Sequence, residues 1–117
     1  MTRGLQRIAL SLILVAPAYV ASAQGTIPLD VQAEHLNDKI HAAYNAHNFR
    51  TTAQLIQQYH DLHVRFPPPL WYVEADAWHH LGDNTKARKC LEIFMRQADR
   101  KSALYWDAAA LYVEVEK

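Results

Sequence analysis

Histidine is the residue type with the most chemical capacity in this chain, which carries seven of them. His60 and His63 stand three residues apart, a spacing that places both imidazoles on one face of a helix, and Asp61 adds a carboxylate. Imidazole and carboxylate groups are ligands that zinc and other transition metals accept. The adjacent His79 and His80 point in different directions, and the chain has no HExxH motif. The spacing makes at best a partial metal site. No metal or other cofactor is therefore predicted, and a metal-binding or metal-responsive helical protein is the second hypothesis.

The single cysteine, Cys90, is the only thiol available for nucleophilic chemistry. It falls within a helical stripe of apolar residues, where a thiol is buried and inert. The sequence also lacks a glycine-rich phosphate loop, a G-x-S-x-G elbow and a Cys–His arrangement. No pattern brings Asp and His residues to a shared reacting atom. We therefore predict no catalytic residue, and a small hydrolase is the third hypothesis, behind a binding protein and a metal-responsive one.

The elements that position these residues are predicted to be helices throughout. From Gln24 onward there are only two glycines, and three of the four prolines are consecutive, at 67–69. No stretch alternates apolar and polar residues as a half-buried strand does. Apolar residues instead recur at intervals of three and four, which indicates amphipathic helices. We predict five helices, at about 29–46, 50–65, 69–81, 85–99 and 103–116.

Turn and cap residues set the predicted boundaries. The prolines at 67–69 are predicted to end the second helix, because proline donates no in-helix hydrogen bond and restricts the residue before it. Gly82 ends the third helix, Asp83 follows it in the turn, and Ser102 caps the fifth helix. The cleanest apolar stripe lies on the fourth helix and consists of Ala87, Cys90, Leu91, Phe94, Met95 and Ala98.

The first 23 residues have the organisation of a secretory signal peptide. Arg3 and Arg7 form a positive segment, an apolar stretch of 16 residues follows, and Ala21-Ser22-Ala23 gives a small-x-small cleavage pattern. The alternative is an uncleaved anchor, but a spanning helix needs about 20 residues. We predict cleavage before Gln24 and a protein that acts outside the cytoplasm, in a bacterial periplasm or as a secreted chain.

Length and charge narrow the classes of function. Removing 23 of 117 residues leaves 94, enough for one small domain. That remainder carries 10 basic and 12 acidic side chains, a net charge of −2 with histidine neutral. Because phosphate binding requires a clustered excess of Lys and Arg, we predict no nucleic-acid partner. No second apolar stretch is long enough to span a membrane, so no membrane span is predicted after cleavage of the signal.

An interval of 34 residues recurs along the chain. It separates three aromatic residues: Tyr44, Trp78 and Tyr112. Asn48 and Gly82 repeat the interval, and so do Ala53 and Ala87. Self-similarity at a period near 34 indicates stacked helical hairpins, in which the three aromatic residues occupy the same packing position of successive first helices. The alternative is an ordinary helical bundle in which the spacing is coincidental.

The second repeat carries the residues of a known motif. The run Trp71-x2-Glu74-Ala75-x2-Trp78 is followed by Gly82-Asp83, Ala87-x3-Leu91 and Phe94. This run resembles the tetratricopeptide repeat, although Glu74 stands where that family has leucine. The resemblance implies an all-α, right-handed solenoid of helical hairpins, with about five antiparallel helices in two and a half repeats. The predicted divisions are a lead-in at 24–33, repeats at 34–67 and 68–101, and a half-repeat at 102–117.

The resemblance also implies a binding surface, because the first helix of each pair lines the concave wall in this family. A protein or peptide partner would bind there at Asp38, Asn45, Tyr72, Asp76, His79, Trp106 and Asp107. The family's clamp for a terminal carboxylate is absent, because its places hold Asp38, Ala42, Val73, Ala103 and Asp107. Three carboxylates beside Tyr72 and Trp106 predict a neutral or basic partner. The alternative is that Asp38 and Asp107 are merely solvated charges.

The fifth predicted helix is apolar on more than one face, because Trp106 and Val113 lie outside its main stripe. A terminal repeat ordinarily turns a polar face outward. We therefore predict that this end docks on a partner or on a second copy of the chain, provided that Trp106 is not buried within its own chain. A missing cap on a small, marginally stable domain is the alternative.

Overall fold

The computed structural model describes residues 27–117. Within that part the protein is all-α and contains no strand. Its five helices are α1 Leu29–Asn45, α2 Phe49–Asp61, α3 Pro68–His80, α4 Asn84–Gln97 and α5 Ala103–Glu116. The predicted signal peptide and the first residues of the lead-in lie outside the described residues. None of the described helices is both long enough and apolar enough to cross a membrane.

The contacts divide the chain into two units, residues 1–32 and 33–117. In the described part of the first unit, the Gln32 side-chain amide donates to the carbonyl of Ile27 over 2.8 Å, across the start of α1. The second unit contains the rest of α1 and the other four helices. All the sites described below belong to the second unit.

Side-chain caps begin three of the helices. Asn48 accepts a hydrogen bond from the Thr51 amide at 3.3 Å before α2, and Asp83 accepts one from the Lys86 amide at 3.1 Å before α4. The predicted cap of α5 is confirmed, since the Ser102 hydroxyl accepts from the Leu104 amide. Helix α3 begins at Pro68. Proline has no amide proton, so this first position leaves no backbone donor without a partner. Local sequence therefore accounts for these four starts.

The predicted end of α2 was wrong. The helix ends at Asp61 and not near residue 65, and His63 follows in a left-handed conformation with a φ of 55°. This early end lets the Phe66 ring fold back over the last turn, 5.4 Å from the Tyr59 ring and 4.6 Å from the Trp71 ring. A continuous helix would carry Phe66 about 10 Å along the axis from Tyr59. The helix therefore ends several residues before the prolines, and the segment after it packs Phe66 against Tyr59 and Trp71.

Two buried clusters form the core. The first joins α1, α2 and α3 and consists of Ala33, Ile40, Ile56, Tyr59, Leu70 and Val73. The second joins α3, α4 and α5 and consists of Ala75, Ala87, Cys90, Leu91, Phe94, Ala108 and Val115. Ala75 and Ala87, which occupy the small positions of the predicted repeat, are fully buried. Because α3 contributes to both clusters, it is buried on several faces, and it holds the polar residues discussed next.

The three aromatic residues at the 34-residue interval are half-buried and pack against the core. Each also donates a hydrogen bond to a carboxylate. The Tyr44 hydroxyl donates to Asp76 at 2.6 Å, the Trp78 indole to Glu74 at 3.1 Å, and the Tyr112 hydroxyl to Glu92 at 3.1 Å. The interval therefore marks positions at which an aromatic ring supports the core and its polar end holds an acidic side chain.

Candidate functional site

Four side chains from α1, α3 and α5 form an acidic group that we call the tyrosine–aspartate surface: Tyr44, Tyr72, Asp76 and Asp107. Burial, followed by the hydrogen bond to Asp76, raises the pKa of the Tyr44 hydroxyl far above its usual range, and the charge of Asp107 adds to this shift. Burial also raises the pKa of Tyr72, and the charges of Asp76 and Asp107 reinforce it. The same two carboxylates, Asp76 and Asp107, thus contribute to the raised pKa of both tyrosines.

The chemistry open to this surface is recognition. Its tyrosines stay protonated, because ionisation would place a third and a fourth negative charge beside Asp76 and Asp107. A protonated tyrosine offers one hydroxyl donor and an aromatic face, while an ionised carboxylate only accepts hydrogen bonds. The surface therefore attracts cations and hydrogen-bond donors. Asp107 is exposed, so its carboxylate is accessible to a partner.

A cavity of about 380 Å³ adjoins this surface. It lies where the ends of α1 and α3 meet the start of α2, and it is lined by Tyr44, Asn45, His47, Phe49, Asp76 and His80. The Phe49 and His80 rings stack with centroids 4.0 Å apart and planes 11° apart. His80 Nδ1 also lies 2.9 Å from the Asp76 carbonyl oxygen, to which it donates, and 3.3 Å from Asp76 Oδ1. Asp76 thus belongs to both the cavity and the tyrosine–aspartate surface.

The structure brings together four of the seven predicted site residues. Tyr72, Asp76 and Asp107 share the tyrosine–aspartate surface, and Asn45 joins them as a wall of the cavity. Of the other three, His79 and Asp38 are placed apart, and Trp106 is described in the next paragraph. The His79 ring turns toward the start of α4, where its Nδ1 lies 2.8 Å from the Asn84 side-chain oxygen. Asp38 is exposed on α1, and no hydrogen bond or ion pair joins it to the other predicted residues in the described part of the chain.

Trp106 is 62% exposed and packs edge-on against the buried Tyr105 ring at 5.4 Å. It is therefore not buried within its own chain, which was the condition for a docking role. Val113 is 60% exposed on the same helix. Trp106 and Val113 therefore form an exposed apolar strip on α5, and Trp106 directly precedes Asp107 in the sequence.

Sequence reasoning missed three residues of the site: Tyr44, Phe49 and His80. Tyr44 was interpreted as a packing residue because of its 34-residue interval, yet its hydroxyl joins α1 to α3 at Asp76. The choice of tyrosine could have identified this role, because a residue that only packs against the core has no use for a hydroxyl. Phe49 belongs to none of the predicted stripes, and its partner His80 lies 31 positions further on.

A second polar cluster lies inside the helices. Glu74 is only 8% exposed, although leucine is expected at this position of the repeat. Its Oε1 accepts from His60 Nε2 at 2.9 Å and its Oε2 from the Trp78 indole at 3.1 Å. Burial, followed by the charge of Glu74, raises the pKa of the Cys90 thiol to about 12. Cys90 is therefore buried, as predicted, and is held in its unreactive protonated form.

This cluster also changes the interpretation of the histidine pair. His60 is engaged with Glu74, and His63 lies beyond the end of α2 with a left-handed backbone, so the two imidazoles do not share a helical face. Among residues 27–117, no group of three or more His, Cys, Asp or Glu side chains is arranged to hold a metal ion.

A basic groove runs between α2 and α4, over the outer side of Trp78. One part, of about 230 Å³, is lined by Arg50, Gln54, Gln57 and Lys86, and the Lys86 ammonium lies 4.3 Å from the centre of the Trp78 ring. The adjoining part, of about 240 Å³, adds Lys89 and reaches Glu74. The charge of this groove is thus opposite to that of the tyrosine–aspartate surface.

Comparison with known proteins adds no family to this geometry. No protein-family model matches the chain, and neither the curated proteins nor the solved structures contain a match to it.

Proposed function

We propose that this chain is a non-catalytic protein–protein interaction module of the tetratricopeptide type, which acts outside the cytoplasm and binds a neutral or basic protein or peptide. The observation that carries the proposal is the hydrogen bond from Tyr44 on α1 to Asp76 on α3, together with the charge of Asp107 on α5, which helps to raise the pKa of both Tyr44 and Tyr72. Such a group concentrates negative charge and aromatic area at one place, as a binding surface for a basic partner requires.

Packing among the last four helices, α2 to α5, supports the repeat arrangement. Helix α3 contacts α2 and α4, and α5 contacts both α4 and α3. The hydrogen bond from Tyr44 to Asp76 joins α1 to α3, the first helices of the two proposed repeats at 34–67 and 68–101. Contacts of each pair with the next one are what a solenoid is built from. The half-repeat at 102–117 then continues the same order.

The proposed contact surface has an acidic centre and an apolar edge. Asp76 and Asp107 form the centre with the two tyrosines, Asn45 extends it into the cavity, and the exposed Trp106 supplies an anchor on α5. Asp38 and His79 are the outer members of the predicted set. Aromatic side chains next to charged groups dominate the binding energy of many interfaces. This composition favours a basic partner with an apolar residue near its positive charges.

The proposal is tested by titrating the full chain with three peptides of equal length that are basic, neutral and acidic. We expect the basic peptide to bind most tightly and the acidic one not to bind, with an affinity that falls as salt is added, because exposed charges are screened. Equal affinity for all three peptides would contradict the proposed surface.

A matched pair of variants locates the surface. Asp107→Asn is expected to weaken binding of the basic peptide, whereas Asp61→Asn removes the same charge from the exposed end of α2 and is expected to leave binding unchanged. If both variants behave alike, Asp107 is a solvated charge without a role in binding.

Export rests on the sequence alone and is tested separately. Amino-terminal sequencing of the protein recovered from outside the cytoplasm is expected to begin at Gln24. A chain that starts at Met1 would instead indicate that the apolar segment is retained.

A further inference from the structure

The walls of the 380 Å³ cavity are flat aromatic rings. Phe49 stacks on His80 at 4.0 Å and 11°, and its ring is nearly parallel to that of His47 at 5.8 Å and 14°. Tyr44 presents its ring edge-on to Phe49 at 6.2 Å. Stacked planar rings of this kind offer a face on which another flat, positively charged group can lie.

Asp76 supplies a charged acceptor in the same cavity. Its side chain is 17% exposed, so the carboxylate is partly removed from water yet still reachable. Within this pocket Oδ2 accepts from Tyr44 and Oδ1 faces His80. Each carboxylate oxygen has about two lone-pair sites, so each can accept one further hydrogen bond from a ligand. The two oxygens together match the paired N–H groups of a guanidinium.

Helix ends add to the negative potential of the cavity. Helix α1 ends at Asn45 and α3 ends at His80, and both residues line the cavity. The carboxyl end of a helix carries a partial negative charge that favours cations. The start of α2 at Phe49 acts in the opposite sense, but Asn48 caps it by accepting from the Thr51 amide. The negative charge of Asp76 and the partial negative charges of the two carboxyl ends therefore exceed the partial positive charge at the start of α2.

We propose that this cavity is a subsite for an arginine side chain of the bound protein or peptide, an inference that rests on the proposed function. The guanidinium stacks on an outer face of the Phe49–His80 pair, whose rings at 4.0 Å leave no room between them, and donates to the Asp76 carboxylate. Arginine is preferred to lysine because its flat, weakly hydrated head group both stacks and donates two parallel hydrogen bonds, whereas an ammonium is a compact, strongly hydrated charge.

The test compares three probes of equal length on the full chain: tetra-arginine, tetra-lysine and tetra-citrulline amides. We expect tetra-arginine to bind about tenfold more tightly than tetra-lysine, because only the guanidinium stacks and forms paired hydrogen bonds. Tetra-citrulline, which keeps the shape but lacks the charge, is expected to bind most weakly. Equal binding of the arginine and lysine probes overturns the subsite and leaves the proposed function standing. Absence of binding by both cationic probes instead contradicts the proposed function.

Two phenylalanine variants provide the structural control. Phe49→Leu is expected to abolish the preference for arginine while binding of tetra-lysine persists. Phe66→Leu removes a ring that also stacks on a histidine, His60, at 4.2 Å, but outside the cavity, and is expected to keep the preference. A preference that survives Phe49→Leu overturns the proposal. As a measurement that needs no variant, the ring protons of Phe49 are expected to shift on titration with N-acetylarginine amide, and unshifted protons at saturation would equally overturn it.

Discussion

Two carboxylates on α3, only two residues apart, have different hydrogen-bond partners. Glu74 is buried and accepts from His60 and Trp78, so its hydrogen-bonding capacity is largely used within the chain. Asp76 accepts from Tyr44 and borders the cavity, which leaves it accessible to a ligand. Both carboxylates hold an aromatic residue of the 34-residue interval. What distinguishes them is that both oxygens of Glu74 accept hydrogen bonds from neighbouring side chains, whereas Asp76 borders the cavity next to the tyrosine–aspartate surface. The proposed roles are accordingly structural for Glu74 and binding for Asp76.

Loss of the Glu74 carboxylate is expected to have the largest effect, on the free energy of unfolding. Glu74→Ala should lower the free energy of unfolding by about 2–3 kcal/mol, because it removes the acceptor of two hydrogen bonds and leaves a cavity. Urea denaturation followed by circular dichroism measures the change. Asp76→Ala is the comparison, since its carboxylate accepts one side-chain hydrogen bond, from Tyr44, and faces the exposed His80 at 3.3 Å, and it should cost about 1 kcal/mol. Equal losses would show that the two environments do not differ energetically.

Neutralising the Asp76 carboxylate is expected to weaken the binding of a basic peptide. Asp76→Asn should weaken the affinity for a basic peptide about tenfold, because a charge-assisted hydrogen bond becomes a neutral one. Calorimetric titration of the full chain gives the affinity. Glu74→Gln makes the same chemical change two residues away, inside the protein, and should leave the affinity unaltered. Weaker binding by Glu74→Gln alone would reverse the two assigned roles.

The reactivity of Cys90 reports on Glu74. Burial and then the charge of Glu74 raise the pKa of this thiol to about 12, so removal of that charge should lower the pKa and increase the thiolate fraction. We expect Glu74→Gln to speed alkylation by iodoacetamide severalfold at mildly alkaline pH, as measured by mass spectrometry. Asp76→Asn should leave the rate unchanged. If neither variant changes it, burial alone protects the thiol.

Alkaline pH is expected to give the smallest effect, through Tyr44. Its pKa is raised in the folded protein, first by burial and then by Asp76, so only the unfolded chain loses this proton just above the ordinary tyrosine pKa of about 10. The stabilisation is therefore complete below that pH and declines as the pH rises above it. Tyr44→Phe should lose stability less steeply than the parent chain in urea denaturation series above about pH 10. Parallel slopes would mean that Tyr44 ionises alike in both states.

Helix positions were largely predictable, because their signals are local. The start and end of α5 follow from the cap at Ser102 and the apolar periodicity, and the structure places it at the predicted bounds. Burial of Ala75, Ala87 and Cys90 likewise follows from periodicity. The end of α2 was not predictable in this way, because it depends on Phe66 packing against Trp71 in the next helix.

The candidate site was predictable only in part. Periodicity and the family resemblance place Tyr72, Asp76 and Asp107 on corresponding faces of their helices, and after burial the charges of Asp76 and Asp107 help to raise the pKa of Tyr72. The cavity could not be predicted, because its stack joins Phe49 to His80 across two helices. Sequence spacing contains no information about ring orientation between such distant residues.

The amino-acid sequence alone determined five helices, their caps and the positions that become core, since these depend on neighbours within one or two helical turns. Only the tertiary structure decided which side chains donate to each acidic residue and which cavity each one borders. Glu74 and Asp76 have the same charge and lie on the same helix, but His60 of α2 reaches the first and Tyr44 of α1 reaches the second. The physical reason is that the energy of a carboxylate depends on the donors and water around it, and those are set by the packing of other helices.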